Sequence, residues 1–433
     1  MQKPHAGHGQ ETKWEIPIEM AERINKFLLL LVISFAVRGL FIFCFHRCYS
    51  MDIKNWDDVG NILVAGGNPY HLTGVLNWPP LWMQLVYCFK EISLFTHWPF
   101  ADVVRGFLIL VESAVLLVLY MAVLRFAEFK KAARLLLLGI VLNPISILQV
   151  CQQCNFDVLV GFWILLAIYL LLRFHEHHES RFWLAACFAL GLGAVTKTVP
   201  LSLAPLLLPF ARKLKLTEQI LGMALLLVPI LLALSVVYVL GPVDIETKVL
   251  EYRSIPGSFG FSGLFAYFHA TSLLSIWPRV FIIVYGAAWI CLGAWLLFKD
   301  TLNPLEIVSI TTVILVAIPA IGPGYTPEYI YWFLPVLVMM YGLGGKNIRF
   351  FLLLFYAIAS ATYLLEYAFN FNALGGFFLE IIQTEQTLKI SAALSSKTGE
   401  TFLSLPLWLF YFSFTAFFCA KIGREILRDI KIL

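Results

Sequence analysis

The sequence predicts an all-α fold, a polytopic transmembrane helical bundle, on three observations. Apolar residues make up 60% of its 433 positions and charged residues only 13%, about half the ~25% usual in soluble domains. Several apolar runs reach the ~20 residues needed to cross a ~30 Å hydrocarbon core as helix. None shows the ten-residue alternation of a barrel strand. About 10–12 membrane segments follow, in a single integral membrane domain covering residues 1–433.

The first apolar run starts after a polar segment, residues 1–26, and no small-residue cleavage site follows it, so it reads as an uncleaved anchor. Positive residues cluster at Arg125, Lys130, Lys131 and Arg134, at Arg212, Lys213 and Lys215, at Lys346 and Arg349, and between Lys421 and Lys431. Placing these clusters in the cytoplasm makes 1–26 a cytoplasmic N-terminal segment and 421–433 a cytoplasmic tail. The expected spans are 27–45, 103–124, 135–151, 156–172, 219–240, 274–298, 305–321, 329–344, 349–368 and 403–420. Residues 182–210 break the alternation, because Arg181 and Arg212 both belong on the cytoplasmic side of only 29 residues. The stretch is expected to enter and return as one short broken hairpin with Thr196 to Pro200 near its tip, where exposed backbone needs a protein-lined or wet setting. The outer face then carries loops 46–100, 241–273, 322–328 and 369–402.

The first outer loop is the least apolar of the long stretches. Ile53, Trp56, Val59 and Leu63 recur at helical spacing, with Lys54, Asp57, Asp58 and Asn61 opposite. This pattern predicts an amphipathic helix lying on the membrane surface. Gly66-Gly67 ends it and Asn68-Pro69 makes the turn. Asp52 stands at the helix start, where a carboxylate serves as an N-cap or as a base held beside the membrane. Trp78-Pro79-Pro80-Leu81 forces an extended corner before a second surface helix over 81–95.

Other motifs carry less. Cys44, Cys88, Cys187, Cys291 and Cys419 lie inside apolar runs and behave as small hydrophobes. Cys151 and Cys154 form a C-x-x-C without a second ligand pair, and the run from His175 to Glu179 reads as a solvated loop. Residues 191–198, GLGAVTKT, miss the phosphate-binding pattern because Thr196 replaces the glycine before Lys197. Arg38 and Glu112 fall within spans, where isolated charge is costly, and are expected to face protein or one another.

Asp52-x-x-x-Trp56, Gly67-Asn68-Pro69-Tyr70 and Trp78-Pro79-Pro80-Leu81, in this order, resemble the first outer loop of the GT-C glycosyltransferases, integral membrane enzymes that use polyprenyl-phosphate sugars. Asn143-Pro144 with Gln153 and Asp157, Lys197 through Pro200, Tyr252-Arg253-Ser254 with the following glycine-rich turn, and Gly324-Tyr325-Thr326-Pro327-Glu328-Tyr329 with Trp332 and Pro335 resemble later segments of that family. The resemblance covers about residues 27–345, and Glu328 departs from it by standing where glutamine is common.

What the resemblance implies is a GT-C type bundle and an inverting glycosyltransferase. It would move a hexose, mannose favoured, from a polyprenyl-phosphate sugar to an acceptor hydroxyl of a glycan, lipid or protein. The catalytic loop is 46–100, and Asp52 is the general base. Donor-binding residues are expected at Arg253, Lys197, Tyr325, Glu328 and Tyr329; Trp56, Asp57, Tyr70, Trp78 and Asp157 are expected around the substrate. No cofactor, metal or nucleic acid is expected, with a divalent cation left open. The implied setting is a bacterial inner or plasma membrane, among its lipids, with the site on the non-cytoplasmic side. A polytopic transporter or lipid-linked saccharide flippase is the alternative. Such a protein needs its polar residues at the midplane of broken helices, whereas here they gather in outer loops.

Overall fold

Backbone that no water reaches must close its hydrogen bonds within its own segment, and among the described residues every element is a helix. The computed structural model describes residues 18–44, 51–72, 78–127, 137–240, 260–324, 327–344 and 346–369, with isolated positions between 386 and 420. Helix α1 (Ile18–Cys44) leads into two surface helices, α2 (Met51–Val64) and, after the short turn α3 (Pro69–Leu72), α4 (Pro80–Thr96). Then come α5 (Phe100–Phe126), α6 (Leu137–Gln153), α7 (Asp157–His177), α8 (Ser180–Thr196), α9 (Val199–Ala211) and α10 (Leu216–Leu240). The chain continues with α11 (Gly260–Tyr267), α12 (Thr271–Phe298), α13 (Pro304–Ile321), α14 (Ile330–Leu343) and α15 (Lys346–Phe369).

Six described helices are long and apolar enough to cross a membrane, and five further apolar helices are shorter. This is a multi-pass membrane protein. The expected spans at 135–151 and 329–344 fall on two of the shorter helices: α6 is interrupted at Asn143-Pro144, and α14 has 14 residues, about 21 Å of helix. The expected span 403–420 lies almost wholly outside the described residues.

A single apolar core runs from Ile53 to Tyr363. α5, α7 and α13 are largely buried in it, whereas α1, α10 and α12 leave most of their apolar surface uncovered. Leu231, Leu232, Ile282, Ile283 and Ile290 are all exposed, an outer surface that suits lipid and not water. α8 and α10 pack backbone to side chain. A Cβ on Gly222 would sit 1.9 Å from a ring carbon of Trp183, and one on Gly191 would sit 2.6 Å from the Leu226 carbonyl oxygen. Small residues at such positions let membrane helices approach closely.

The hairpin expected at 182–210 is present as α8 and α9, reversing at Lys197-Thr198. α9 opens as a 3-10 helix over Val199–Leu207, with Pro205 inside it. Proline cannot donate to the carbonyl three residues back. The Trp289 indole N–H supplies that bond, donating to the Ser202 carbonyl at 3.0 Å. The Trp183 indole N–H donates to the Leu207 carbonyl at 3.1 Å.

The charges expected to pair inside the bundle do so. The Arg38 Nε and Nη2 atoms grip both oxygens of the fully buried Glu112, and Arg38 also donates to Ser146 Oγ at 2.7 Å and to the Val141 carbonyl at 3.1 Å. This network fixes α1, whose flanks are otherwise exposed, to α5 and α6. Arg125, at the end of α5, binds Glu176 near the end of α7, beside Arg173 and His177. Asp157 opens the same 21-residue α7, so its carboxylate and this basic group stand about 30 Å apart.

Candidate active site

Helices α2 and α4 form one wall of the site. Apolar positions of α2 at helical spacing bury Ile53, Trp56 and Val59, and Gly66 ends the helix at φ 75, a conformation glycine adopts without a Cβ clash. The Asn68 side chain accepts from the Tyr70 N–H at 3.0 Å, and the Tyr70 hydroxyl donates to the Trp78 carbonyl at 3.0 Å. The Asn-Pro-Tyr turn thereby holds the Trp-Pro-Pro-Leu corner. Trp56 meets Trp82 and Trp78 edge to face, with ring centres 4.9 and 5.8 Å apart, and Trp82 stacks on Phe156 at 4.9 Å.

Phe156 carries the wall's position to the bundle interior. The Lys197 ammonium lies 5.4 Å from its ring centre, 4.6 Å from that of Tyr329 and 4.9 Å from that of Trp332. Tyr329 and Trp332 stack on each other at 4.0 Å. Rings presented to an ammonium stabilise its charge where water is scarce. Lys197 Nζ donates to Asp157 Oδ1 at 2.9 Å, and the Trp332 indole donates to the same oxygen at 2.6 Å. The tip of the hairpin is thus tied to the starts of α7 and α14.

A π turn builds the remaining side. α6 passes into π geometry over Gln149–Gln153 and ends at Cys154, whose φ of 54 is left-handed. That conformation costs a non-glycine residue about 1–2 kcal/mol. Gln149 Nε2 donates to the Glu328 carbonyl at 2.8 Å, and Gln153 Nε2 donates to Glu328 Oε1 at 3.2 Å. Tyr363, from α15, donates to Gln153 Oε1 at 2.6 Å. Arg105, from α5, donates to the Cys151 carbonyl at 2.7 Å and pairs with Asp102 at 3.0 Å.

Asp52 closes this ring of charge from the first turn of α2. Among the described residues no hydrogen bond or ion pair engages its carboxylate, so the helix-cap role is not the one it plays. Burial first, then the charges of Glu328 and Asp157, push its carboxyl from 3.8 up to about 7, with Lys197 opposing. An uncommitted carboxylate with this proton affinity is suited to take a proton near neutral pH. The adjacent ammonium is suited to meet developing negative charge.

Asp52, Lys197, Glu328, Tyr329 and Asp157 therefore come together, though not all in the expected sense. Asp157 is buried and holds Lys197. Trp56 and Tyr70, expected around the substrate, are fully buried and hold the wall. Asp57, also expected around the substrate, pairs with Lys90 at 2.7 Å. Trp78 is partly buried in the aromatic cluster. Arg253 and Tyr325 lie outside the described residues. Sequence reasoning did not single out Gln149, Tyr363 or Arg105. The signal for the first was available: Gln149 and Gln153 put two amides one turn apart in an apolar segment, where polar groups are costly unless bonded.

Among the described residues no three His, Cys, Asp or Glu side chains converge as a metal would require. Searches of protein-family models, of curated proteins and of solved structures each return no match to the chain.

Proposed function

We propose that the protein is an inverting glycosyltransferase that moves a hexose, mannose favoured, from a polyprenyl-phosphate sugar to an acceptor hydroxyl on a glycan, lipid or protein. The observation that carries this reading is the uncommitted Asp52 carboxylate, held in one recess with the Lys197 ammonium. The acceptor hydroxyl attacks the anomeric carbon and passes its proton to Asp52 as the new C–O bond forms. The bond from that carbon to the phosphate oxygen breaks, and its electron pair leaves with the lipid phosphate. An acceptor hydroxyl is far less acidic than a carboxyl, so proton transfer accompanies attack, an effect worth typically ~10²–10⁴-fold. Lys197 stabilises the departing phosphate, and Asp157 with the three rings keeps the ammonium aimed.

The recess belongs on the non-cytoplasmic side in this reading, because the Arg125 and Arg173 group lies about 30 Å away along α7 and basic ends face the cytoplasm. A bacterial inner or plasma membrane is the proposed setting. The test is to reconstitute the protein in lipid with a panel of labelled polyprenyl-phosphate sugars. Transfer of one label by the wild type, abolished in a normally inserted Asp52→Asn variant, is the expected result. Wild-type-like turnover by that variant removes Asp52 from the mechanism, and transfer of no label removes the activity.

A further inference from the structure

Helix α4 carries two apolar flanks, and the bundle covers only one of them. Trp82, Met83, Val86 and Phe89 are buried, with Trp82 on Phe156 and Phe89 on Phe107, ring centres 4.9 Å apart in each pair. A second row, Leu85, Cys88, Ile92 and Phe95, advances by three, four and three residues and so shares one side of the helix. Leu85 is half-buried where the row meets the core, Cys88 and Ile92 are exposed, and Phe95 is 87% exposed. The charged residues of α4 keep off this row. Lys90 turns to Asp57 at 2.7 Å, and Glu91 takes a hydrogen bond from the Tyr87 hydroxyl on a ridge that begins at the exposed Gln84.

The helix ends in a tip that closes its own backbone. His97 caps it at φ 59, Ser93 Oγ donates to the Trp98 carbonyl at 2.7 Å, and the Trp98 N–H donates to Thr96 Oγ1 at 3.3 Å. Backbone satisfied in this way tolerates a depth where water is scarce. Leu94 is exposed at this tip and Trp98 is 65% exposed, an indole that suits the boundary between headgroups and hydrocarbon. The whole helix stays at the recess end of the bundle: Trp82 meets Phe156 near its start, and the Lys90 ammonium lies 5.8 Å from the ring centre of Phe100, where α5 begins.

We infer that α4 is seated in the lipid leaflet at the recess end, with Leu85, Cys88, Ile92 and Phe95 against acyl chains, Trp98 at the polar boundary and the ridge from Gln84 to Glu91 in water. The inference does not depend on the reaction proposed above. α4 packs on α5, α8 and α10, and α10 exposes Leu231, Leu232 and Val239, so the uncovered row continues an apolar surface that this membrane protein presents to its bilayer. A second copy of the chain fits the row less well. It is one residue wide, bounded by the core on one side and by Glu91 on the other, and falls short of the ~800 Å² per partner that a stable protein interface buries.

The test places the photoreactive residue p-benzoylphenylalanine, one position at a time, at Phe95, Ile92, Gln84 and Leu231 of the full-length protein in phospholipid nanodiscs. After irradiation, intact-mass spectrometry reads what each position has captured. Phospholipid adducts are expected at 92 and 95, as at the lipid-facing position 231, and several-fold fewer at 84. All four side chains are exposed, so the fold does not depend on them, and position 92 reads the same row should the variant at 95 fail to insert. Lipid capture at 231 without capture at 92 and 95 overturns the inference. A covalent dimer at 92 or 95 in place of the lipid adduct overturns it in favour of a second copy of the chain, and equal lipid capture at 84 overturns the division of the helix into a lipid row and a wet ridge.

Discussion

Lys197 Nζ lies 2.9 Å from Asp157 Oδ1, and this contact joins the tip of a hairpin to the first turn of a buried helix. The Asp157 side chain is 2% exposed and that of Lys197 21%, so the pair is anchored at the carboxylate and open at the ammonium. Three aromatic rings surround the ammonium without neutralising it. Its free side is therefore available to an anion entering the recess, and its position is set by residues from α7, α14 and the turn before it.

Replacing Lys197 by methionine tests both halves of that arrangement. Removing one partner strands a buried carboxylate, which costs about 3–5 kcal/mol, and loss of the cation is expected to cut transfer about 10²–10³-fold. The double variant Lys197→Met with Asp157→Asn separates the two effects. Its thermal unfolding should return toward the wild-type temperature while transfer stays low. Recovery of both together shows the lysine to be structural only.

The raised Asp52 carboxyl gives the protein a definite response to pH. Its folded value, about 7, lies above the ordinary 3.8. The native state therefore holds this proton more tightly than the unfolded chain, and the stability it contributes is full below 3.8 and lost as pH rises to about 7. Asp52 is partly exposed, so the loss is discounted for solvent to roughly 2–4 kcal/mol. Asp52→Asn should unfold at a higher temperature than the wild type above pH 7 and at the same temperature near pH 4. Transfer runs the other way, because a base must be deprotonated: the rate should climb between pH 6 and 8 with a midpoint near 7. A pH-independent rate across that window contradicts the role of Asp52.

Much of this architecture is legible in the sequence, for physical reasons that can be traced residue by residue. The α2 helix declares itself through Ile53, Trp56, Val59 and Leu63, and the hairpin through two arginines too close together for separate spans. Arg38 and Glu112 announce a partner because neither survives alone in hydrocarbon. Burial of individual aromatics is less legible. Trp56 and Tyr70 occur in a polar loop and read as substrate contacts, but the cluster around Trp82 and Phe156 encloses Trp56, and the Trp78 carbonyl takes the Tyr70 hydroxyl. The contact of Trp56 with Phe156 joins positions 100 residues apart, and local pattern holds no record of it. The π turn is hidden for a related reason: its extra residue follows from how Arg105, Glu328 and Tyr363 meet it.

The Arg38–Glu112 pair makes a prediction independent of catalysis. Arg38→Met leaves Glu112 buried beside Ser146 with its strongest partner gone, and should destabilise the protein by about 3–5 kcal/mol. Helix α1 has few other buried contacts, so limited proteolysis should cut the link after α1 sooner than in the wild type. Arg38→Met combined with Glu112→Leu replaces the pair by apolar groups and should recover most of the stability. Equal protease resistance in the single variant would show that α1 is held by something else.

Phe156 connects the surface helices to Lys197, and Phe156→Leu isolates that connection. Leucine keeps much of the volume, so the core should stay closed. The losses are the stacking with Trp82, worth about 0.5–1.5 kcal/mol, and the ring beneath the ammonium, worth about 0.5–2 kcal/mol. Unfolding should show a decrease of about 1–3 kcal/mol, small enough for the protein to remain inserted and monodisperse. Transfer depends on the spacing between the Asp52 wall and the Lys197 tip, and misplacement by about 1 Å is enough to cost ~10²-fold. The variant should therefore lose far more activity than stability, with Lys197 and Asp52 both intact. If transfer falls only in proportion to the folded fraction, the wall is merely attached to the bundle and does not set the geometry of the recess.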